Sequence, residues 1–206
     1  MANRNYPSNG YASVTEVLGI LRKIGLEYWF KANTAAFCNA ESNKGKLVGT
    51  QIHDAIESYI NTGEAKVESE HAEDVTNALN SFMKFSKENP DIKPELSEIP
   101  LTSEKYKYNG TIDCIAGNMI LDWKTSKCKE KTEPPIFDEA KYQVAAYVYL
   151  YNEVKGTNIE HATIVAIAKD KVAYNMHVMN KQEIDDCFNK VFLSALSICN
   201  YQKGRK

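Results

Sequence analysis

The sequence predicts an α/β protein, with a central mixed β-sheet flanked by helices and a helical N-terminal part. Three observations predict it. Apolar residues recur at helical spacing through much of residues 1–94, short β-rich runs bounded by turn residues begin after Pro94, and helix, two strands and helix complete the chain. That order does not fit the strict strand-helix alternation of a doubly wound parallel sheet. The 206 residues are expected to form one domain, 1–206, of which 1–94 is mainly helical and 95–206 is the sheet-containing core.

The elements follow in order. Ser13 and Glu16 form an S-x-x-E capping box, and Val17, Leu18, Leu21 and Ile24 continue at helical spacing to Gly25, the expected stop. A second helix is expected around LEYWFKANTAAF, with Tyr28, Trp29 and Phe30 in the core. SNKGKLVGTQIHDAIESYINTG carries a stripe of Val48, Ile52, Ile56 and Tyr59 or Ile60, and Gly63 ends it. AEDVTNALNSFMKFSKEN is a further amphipathic helix closing at Pro90. ELSEIPLTSEKY, YNGTIDCIAG and NMILDWKTS read as antiparallel strands, with Asn109-Gly110 and Gly117-Asn118 as turn dipeptides. DEAKYQVAAYVYLYNEV is a helix capped at Asp138, and HATIVAIAKD and KVAYNMHVM are two more strands. Asn180 and Glu183 make a second capping box before the last helix, NKQEIDDCFNKVFLSALSICNYQ.

Composition narrows the class. Hydrophobic residues at 43 % and charged residues at 25 % are those of a soluble globular protein. No apolar run is long enough to span a bilayer, and MANRNYPSNG lacks the apolar stretch of a signal peptide, so a cytoplasmic protein is expected. Five dispersed cysteines without a C-x-x-C argue against a disulfide framework and a zinc ribbon. With a net charge of −2, a nucleic-acid partner needs a local basic patch. Lys124, Lys127, Lys129 and Lys131 supply one candidate, and Lys203, Arg205 and Lys206 another, whereas acidic residues concentrate in EAKVESEHAED.

The informative stretch is ILDWKTSK. On a strand, Asp122 and Lys124 share one face while Leu121, Trp123 and Thr125 take the other. The same alternation in GTIDCI puts Asp113 on a face with Thr111 and Ile115, opposite Ile112 and Cys114. A lone buried carboxylate is costly. Two carboxylates and an ammonium on neighbouring strands compensate one another, and a hard divalent cation between the carboxylates removes their repulsion.

Gly110-Thr-Ile-Asp113 followed by Asp122-Trp-Lys124-Thr-Ser resembles the active-site hairpin of the PD-(D/E)xK nuclease superfamily, in its RecB-like branch. Gly49-Thr50-x-x-His53 on an upstream helix, and Gln143 with Tyr147 on the helix after the hairpin, match further motifs of that branch. YASVTEVL, Trp29 and GTQIHDAIESYI are similar to phage exonucleases and the mitochondrial genome maintenance exonuclease, so the likeness covers most of residues 10–150.

The resemblance implies a restriction-endonuclease-like core and a metal-dependent deoxyribonuclease that binds DNA, acts at ends and serves phage or bacterial recombination, replication or repair. Alternatives are a structure-specific endonuclease of the same fold and a non-catalytic nucleic-acid-binding protein. It implies Mg2+ or Mn2+, one or two ions, held by His53, Asp113, Asp122 and the Trp123 backbone carbonyl, with Glu98 as a further acidic position. Lys124 would orient or deprotonate the attacking water, and Gln143 and Tyr147, one helical turn apart, would position the DNA backbone or Lys124. Thr125, Ser126, Lys127, Lys129 and Lys131 would contact DNA. Only Cys187 and Cys199 stand late in the chain, so no iron-sulfur cluster is expected, and without GxxxxGK[ST] there is no helicase motor. Oligomeric state stays open.

Overall fold

A computed structural model of the chain describes residues 9–65, 67 and 70–204. Arg205 and Lys206 of the basic end, residues 1–8 of the N-terminal stretch, and Lys66, Glu68 and Ser69 of the acidic stretch lie outside the described residues.

β1 (Ala12–Ser13) runs into α1 (Val14–Leu18), and α2 (Ile24–Ala32), α3 (Ala35–Thr62) and α4 (Ala72–Glu88) follow. Next come β2 (Leu96–Ser103), β3 (Tyr108–Ala116), β4 (Met119–Ser126), α5 (Asp138–Lys155), β5 (His161–Ala168) and β6 (Tyr174–Met179). The chain closes with α6 (Lys181–Asp186), a π-helical stretch (Cys187–Phe192) and α7 (Leu193–Lys203).

The strands form one mixed six-stranded sheet in the order β1-β3-β4-β5-β6, with β2 also paired to β3. The β2-β3-β4 meander is antiparallel, and β5 lies parallel to β4 because α5 carries the chain back across the sheet. One apolar cluster joins α1, α5 and the terminal helices to the sheet through Leu18, Ile112, Ile120, Val144, Ile164 and Phe188. The other packs α3 and α4 through Ile52, Ile56, Phe82, Phe85, Leu121 and Trp123. The Trp123 ring stands edge-on to Phe82 and Phe85, with centroids 5.2 and 5.7 Å away, which anchors β4 to α4.

Several local expectations are corrected by tertiary context. The Ser13–Glu16 capping box forms, but α1 ends at Leu18 and Gly25 lies inside α2; Ile20 and Leu21 instead turn back onto the α5-side cluster. No residue of α2 is buried, and Tyr28 at 69 % and Phe30 at 46 % exposure are not core residues. Thr34 accepts the Phe37 N–H and starts α3 afresh, so TAAF belongs to that helix.

Asn109-Gly110 is not a turn but part of β3, where the Asn109 amide donates to Asn9 and to the Tyr11 carbonyl. Gly110 is there for space, since a Cβ would stand 2.8 Å from Leu150 Cδ2 and 3.0 Å from Tyr147 Cε1 on α5. Phe137, not Asp138, is the N-cap of α5; Asp138 is its first residue, where its charge suits the helix dipole. Asn180 accepts the Glu183 N–H as expected, while the Glu183 carboxylate contacts His177 at 2.9 and 3.0 Å. β1 was not foreseen, because a two-residue strand has no periodicity to read. Among the described residues, no helix is long and apolar enough to cross a membrane.

Candidate active site

The site begins where two strands part. β3 and β4 pair only near their turn, from Ala116 and Met119 to Cys114 and Leu121. Beyond that point β4 stays with β5 along its whole length, and β1 takes the edge that β4 has left, at Tyr108 and Asn109. The opened wedge contains Asp113 on one side and Asp122, Trp123 and Lys124 on the other. Across it, the Trp123 N–H donates to Asp113 Oδ2 at 3.1 Å, a side chain replacing the missing backbone ladder.

The expectation that Asp113 shares a face with Ile115, opposite Ile112 and Cys114, is corrected here. Ile112 packs in the α5-side cluster and Cys114 in the α3/α4 cluster, so strand alternation breaks at Asp113. The facing strand is distorted at the same level. Glu98 has φ 50, and the β2-β3 register passes from Ser97–Cys114 to Ile99–Ile112 without a Glu98–Asp113 pair. A left-handed conformation at a non-glycine residue costs about 1–2 kcal/mol, and such strain gathers at functional sites.

The distortion brings three donors together. One ligand atom each of His53, Glu98 and Asp113 lies within 4.8 Å of the others, with His53 Nδ1 3.9 Å from Asp113 Oδ2. Burial first, and then the charge of Lys124, hold the His53 pKa below its ordinary value, favouring the neutral imidazole that a metal requires. The ring also lies against the Trp123 backbone, which pulls weakly the other way.

Asp122 stands outside this trio and is fully buried. Lys124 Nζ lies 2.5 Å from its Oδ2 on the same face of β4, as alternation predicts. Neither Asp122 oxygen has a hydrogen bond of acceptable geometry. Burial pushes the Asp122 pKa up to about 7, against the pull of Lys124. For Lys124, burial is outweighed by Asp122 and Asp113, so its pKa is raised and the ammonium is charged. A divalent cation fits these residues: the imidazole and two carboxylates converge, and a third carboxylate behind them has oxygens without hydrogen bonds.

Gln143 and Tyr147 come one turn apart on α5, and Gln143 Nε2 donates to the Tyr147 hydroxyl at 2.7 Å. Gln143 shares a cavity of about 250 Å³ with Lys124, Thr125, Ser126 and Glu139, whereas Tyr147 is buried behind it. Glu139, whose charge acts on Lys124 and which pairs with Lys23 at 2.6 Å, was missed by sequence reasoning and has no motif to announce it.

Thr125, Ser126, Lys127, Lys129 and Lys131 all line a second cavity, of about 830 Å³. Their loop is fastened from the β5-β6 turn. Asp170 accepts the N–H groups of Cys128 and Lys129, both at 2.9 Å, and Lys171 Nζ donates to the Lys131 carbonyl at 2.9 Å. Neither Asp170 nor Lys171 was foreseen, because the contact spans about 40 residues.

No protein-family model matches the chain, and no sequence among curated proteins does. Among solved structures, a protein of Eubacterium rectale provisionally named an exonuclease has a TM-score of 0.57 at 12 % identity, over 98 % of this chain and 87 % of its own. A phage-related exonuclease from Haemophilus somnus 129PT (TM-score 0.43, 13 % identity, 94 % of each chain) is more loosely similar. So is an alkaline exonuclease from Laribacter hongkongensis (TM-score 0.38, 11 % identity, 95 % of this chain and 93 % of its own). The likeness to the Eubacterium rectale protein carries the comparison: the two share a fold, which in this chain is a mixed six-stranded sheet flanked by helices.

Proposed function

We propose that the protein is a metal-dependent deoxyribonuclease that hydrolyses phosphodiester bonds at DNA ends, in phage or bacterial recombination, replication or repair. One observation carries this reading: His53, Glu98 and Asp113 converge at the wedge whose other wall holds the buried Asp122 and its half-buried partner Lys124. Mg2+ or Mn2+ would be held by His53, Glu98, Asp113 and Asp122, with the Trp123 carbonyl beside them, and would supply Lewis-acid polarisation of the phosphodiester. The imidazole in this set favours Mn2+ over a site of oxygens alone.

The chain's own residues do the rest. Lys124, kept charged by Asp122 and Asp113, would hold the attacking water and offset negative charge growing on the phosphate oxygens. Gln143, braced by Tyr147, would contact the substrate backbone beside Lys124. The choice of exonuclease over endonuclease rests on the resemblance of the motifs and on the named activity of the Eubacterium rectale protein.

The test is to incubate wild type and Lys124→Ala with end-labelled linear DNA and with covalently closed circles, in Mg2+ or Mn2+. Linear DNA should be degraded, circles should survive, and Lys124→Ala should lose about 10²–10³-fold in rate. Nicked circles would move the assignment to an endonuclease. Equal degradation by both proteins, or none by either, would overturn the enzymatic reading.

A further inference from the structure

The larger cavity has a second wall that neither the motifs nor the comparisons address. Lys44 on α3 and Lys169, just after β5, face the loop that carries Lys127, Lys129 and Lys131 across about 830 Å³ of open space. Among the described residues, none of these five ammonium groups forms an ion pair, while three carboxylates, Glu41, Asp74 and Glu130, line the same space. The local balance is therefore positive in a chain that is negative as a whole.

We propose that Lys44 and Lys169 bind backbone phosphates of a DNA strand, forming with the Lys127–Lys131 loop a cleft that leads to the cut site. The substrate class rests on the nuclease reading; the cleft itself rests on four observations. Thr125, Ser126, Pro135 and Phe137 border both this cavity and the smaller one containing Lys124, so the two are continuous. The cavity lies at the carboxyl ends of the parallel strands β4 and β5, where open α/β sheets place ligands. Lys169 is fixed there, because its N–H donates to the Ser126 carbonyl at 3.0 Å. Burial, the largest cause, holds the Lys169 pKa below its ordinary value; Asp74 and Glu41 pull it up while Lys127 and Lys44 push it down, so two other lysines of the cleft lie close enough for their charges to act on it. Lysines spread along a loop and onto two further elements suit a polyanion better than a single small anion.

The test measures binding of a fluorescein-labelled single-stranded oligonucleotide by anisotropy, in EDTA so that no cleavage occurs, over a range of salt. Lys44→Gln/Lys169→Gln is compared with wild type and with Lys87→Gln/Lys155→Gln, a control of equal charge loss at exposed lysines elsewhere. The salt slope should fall by about 0.7 for each phosphate no longer neutralised, and affinity at about 0.1 M salt by roughly tenfold, in the cleft variant alone. Equal losses with hydroxyl-ended and phosphate-ended oligonucleotides assign internal phosphates; a loss confined to the phosphate-ended one assigns a terminal phosphate and overturns the backbone path. A slope and affinity unchanged from wild type, a control variant equally impaired, or a wild type that binds no oligonucleotide each overturns the cleft. Because the readout is binding without metal, a protein that cleaves normally but fails here loses only the cleft. One that passes here but never cleaves loses only the nuclease reading.

Discussion

Asp113 Oδ2 accepts the backbone N–H of Trp123 at 3.1 Å, across strands that have already separated. One carboxylate thus holds the wedge in shape while facing His53. The two roles separate by substitution. Asp113→Asn keeps an acceptor and should change stability little, whereas Asp113→Ala should cost about 1 kcal/mol through loss of the hydrogen bond. Both should weaken Mn2+ binding by at least about tenfold in calorimetry. Wild-type Mn2+ affinity in Asp113→Asn would remove Asp113 from the metal set.

The Asp122–Lys124 contact joins a fully buried carboxylate to a partly exposed ammonium. Removing one partner of such a pair is worse than removing both, because the remaining charge is left buried. Lys124→Met and Asp122→Asn should each lower the melting temperature, and the double variant should be more stable than the sum of the single losses predicts, by about 1–3 kcal/mol in a denaturant-melt cycle. Strict additivity would mean that the pair contributes nothing to the fold.

Asp170 fastens the lysine loop through the Cys128 and Lys129 N–H groups. Burial raises its pKa, but those N–H groups, its own backbone N–H and the Lys171 charge outweigh burial and hold it below the ordinary carboxylate range. A folded-state pKa below the unfolded value means stability that is present above the unfolded pKa and lost as pH falls through the folded one. Asp170→Asn should therefore melt below wild type at about pH 6, with the gap closing towards about pH 2. Amide exchange at Cys128 and Lys129 should speed up in the variant. A gap independent of pH would show that charge is not what holds the loop.

Gly110 lies against α5, with Leu150 and Tyr147 where a Cβ would be. Gly110→Ala should destabilise by about 1–3 kcal/mol, measured by urea unfolding, as overpacked sites do. Because Tyr147 braces Gln143, the rate of the proposed nuclease reaction should fall more than stability alone explains. A neutral effect on both would show that α5 can step away from the sheet at no cost.

Much of this was readable in residues close together in the chain. The Ser13–Glu16 box, the αL stop at Gly63 and the strands bearing Asp113 and Asp122 depend on nearest neighbours, so their signatures stand in single short stretches. So does the shared face of Asp122 and Lys124, which needs only the two-residue period of β4. Where the local signal was ambiguous, packing decided. Asn109-Gly110 has turn chemistry but serves close approach, and Tyr28 and Phe30 have core chemistry but stand on a helix with no buried residue.

The inventory is legible in the residues alone: which of them carry charge, on which kinds of element, and in what order. Where those charges point emerges with the packing of distant segments. Asp113 leaves its expected face because Glu98 takes a left-handed backbone opposite it and β4 departs to pair with β5. Lys44, Glu139 and the adjacent Lys169 and Asp170 join the site from three separate parts of the chain. The physical reason is the range of the forces involved: propensity, capping and strand period act over a few residues, whereas strand splay and the field among like charges arise only when distant segments are packed together.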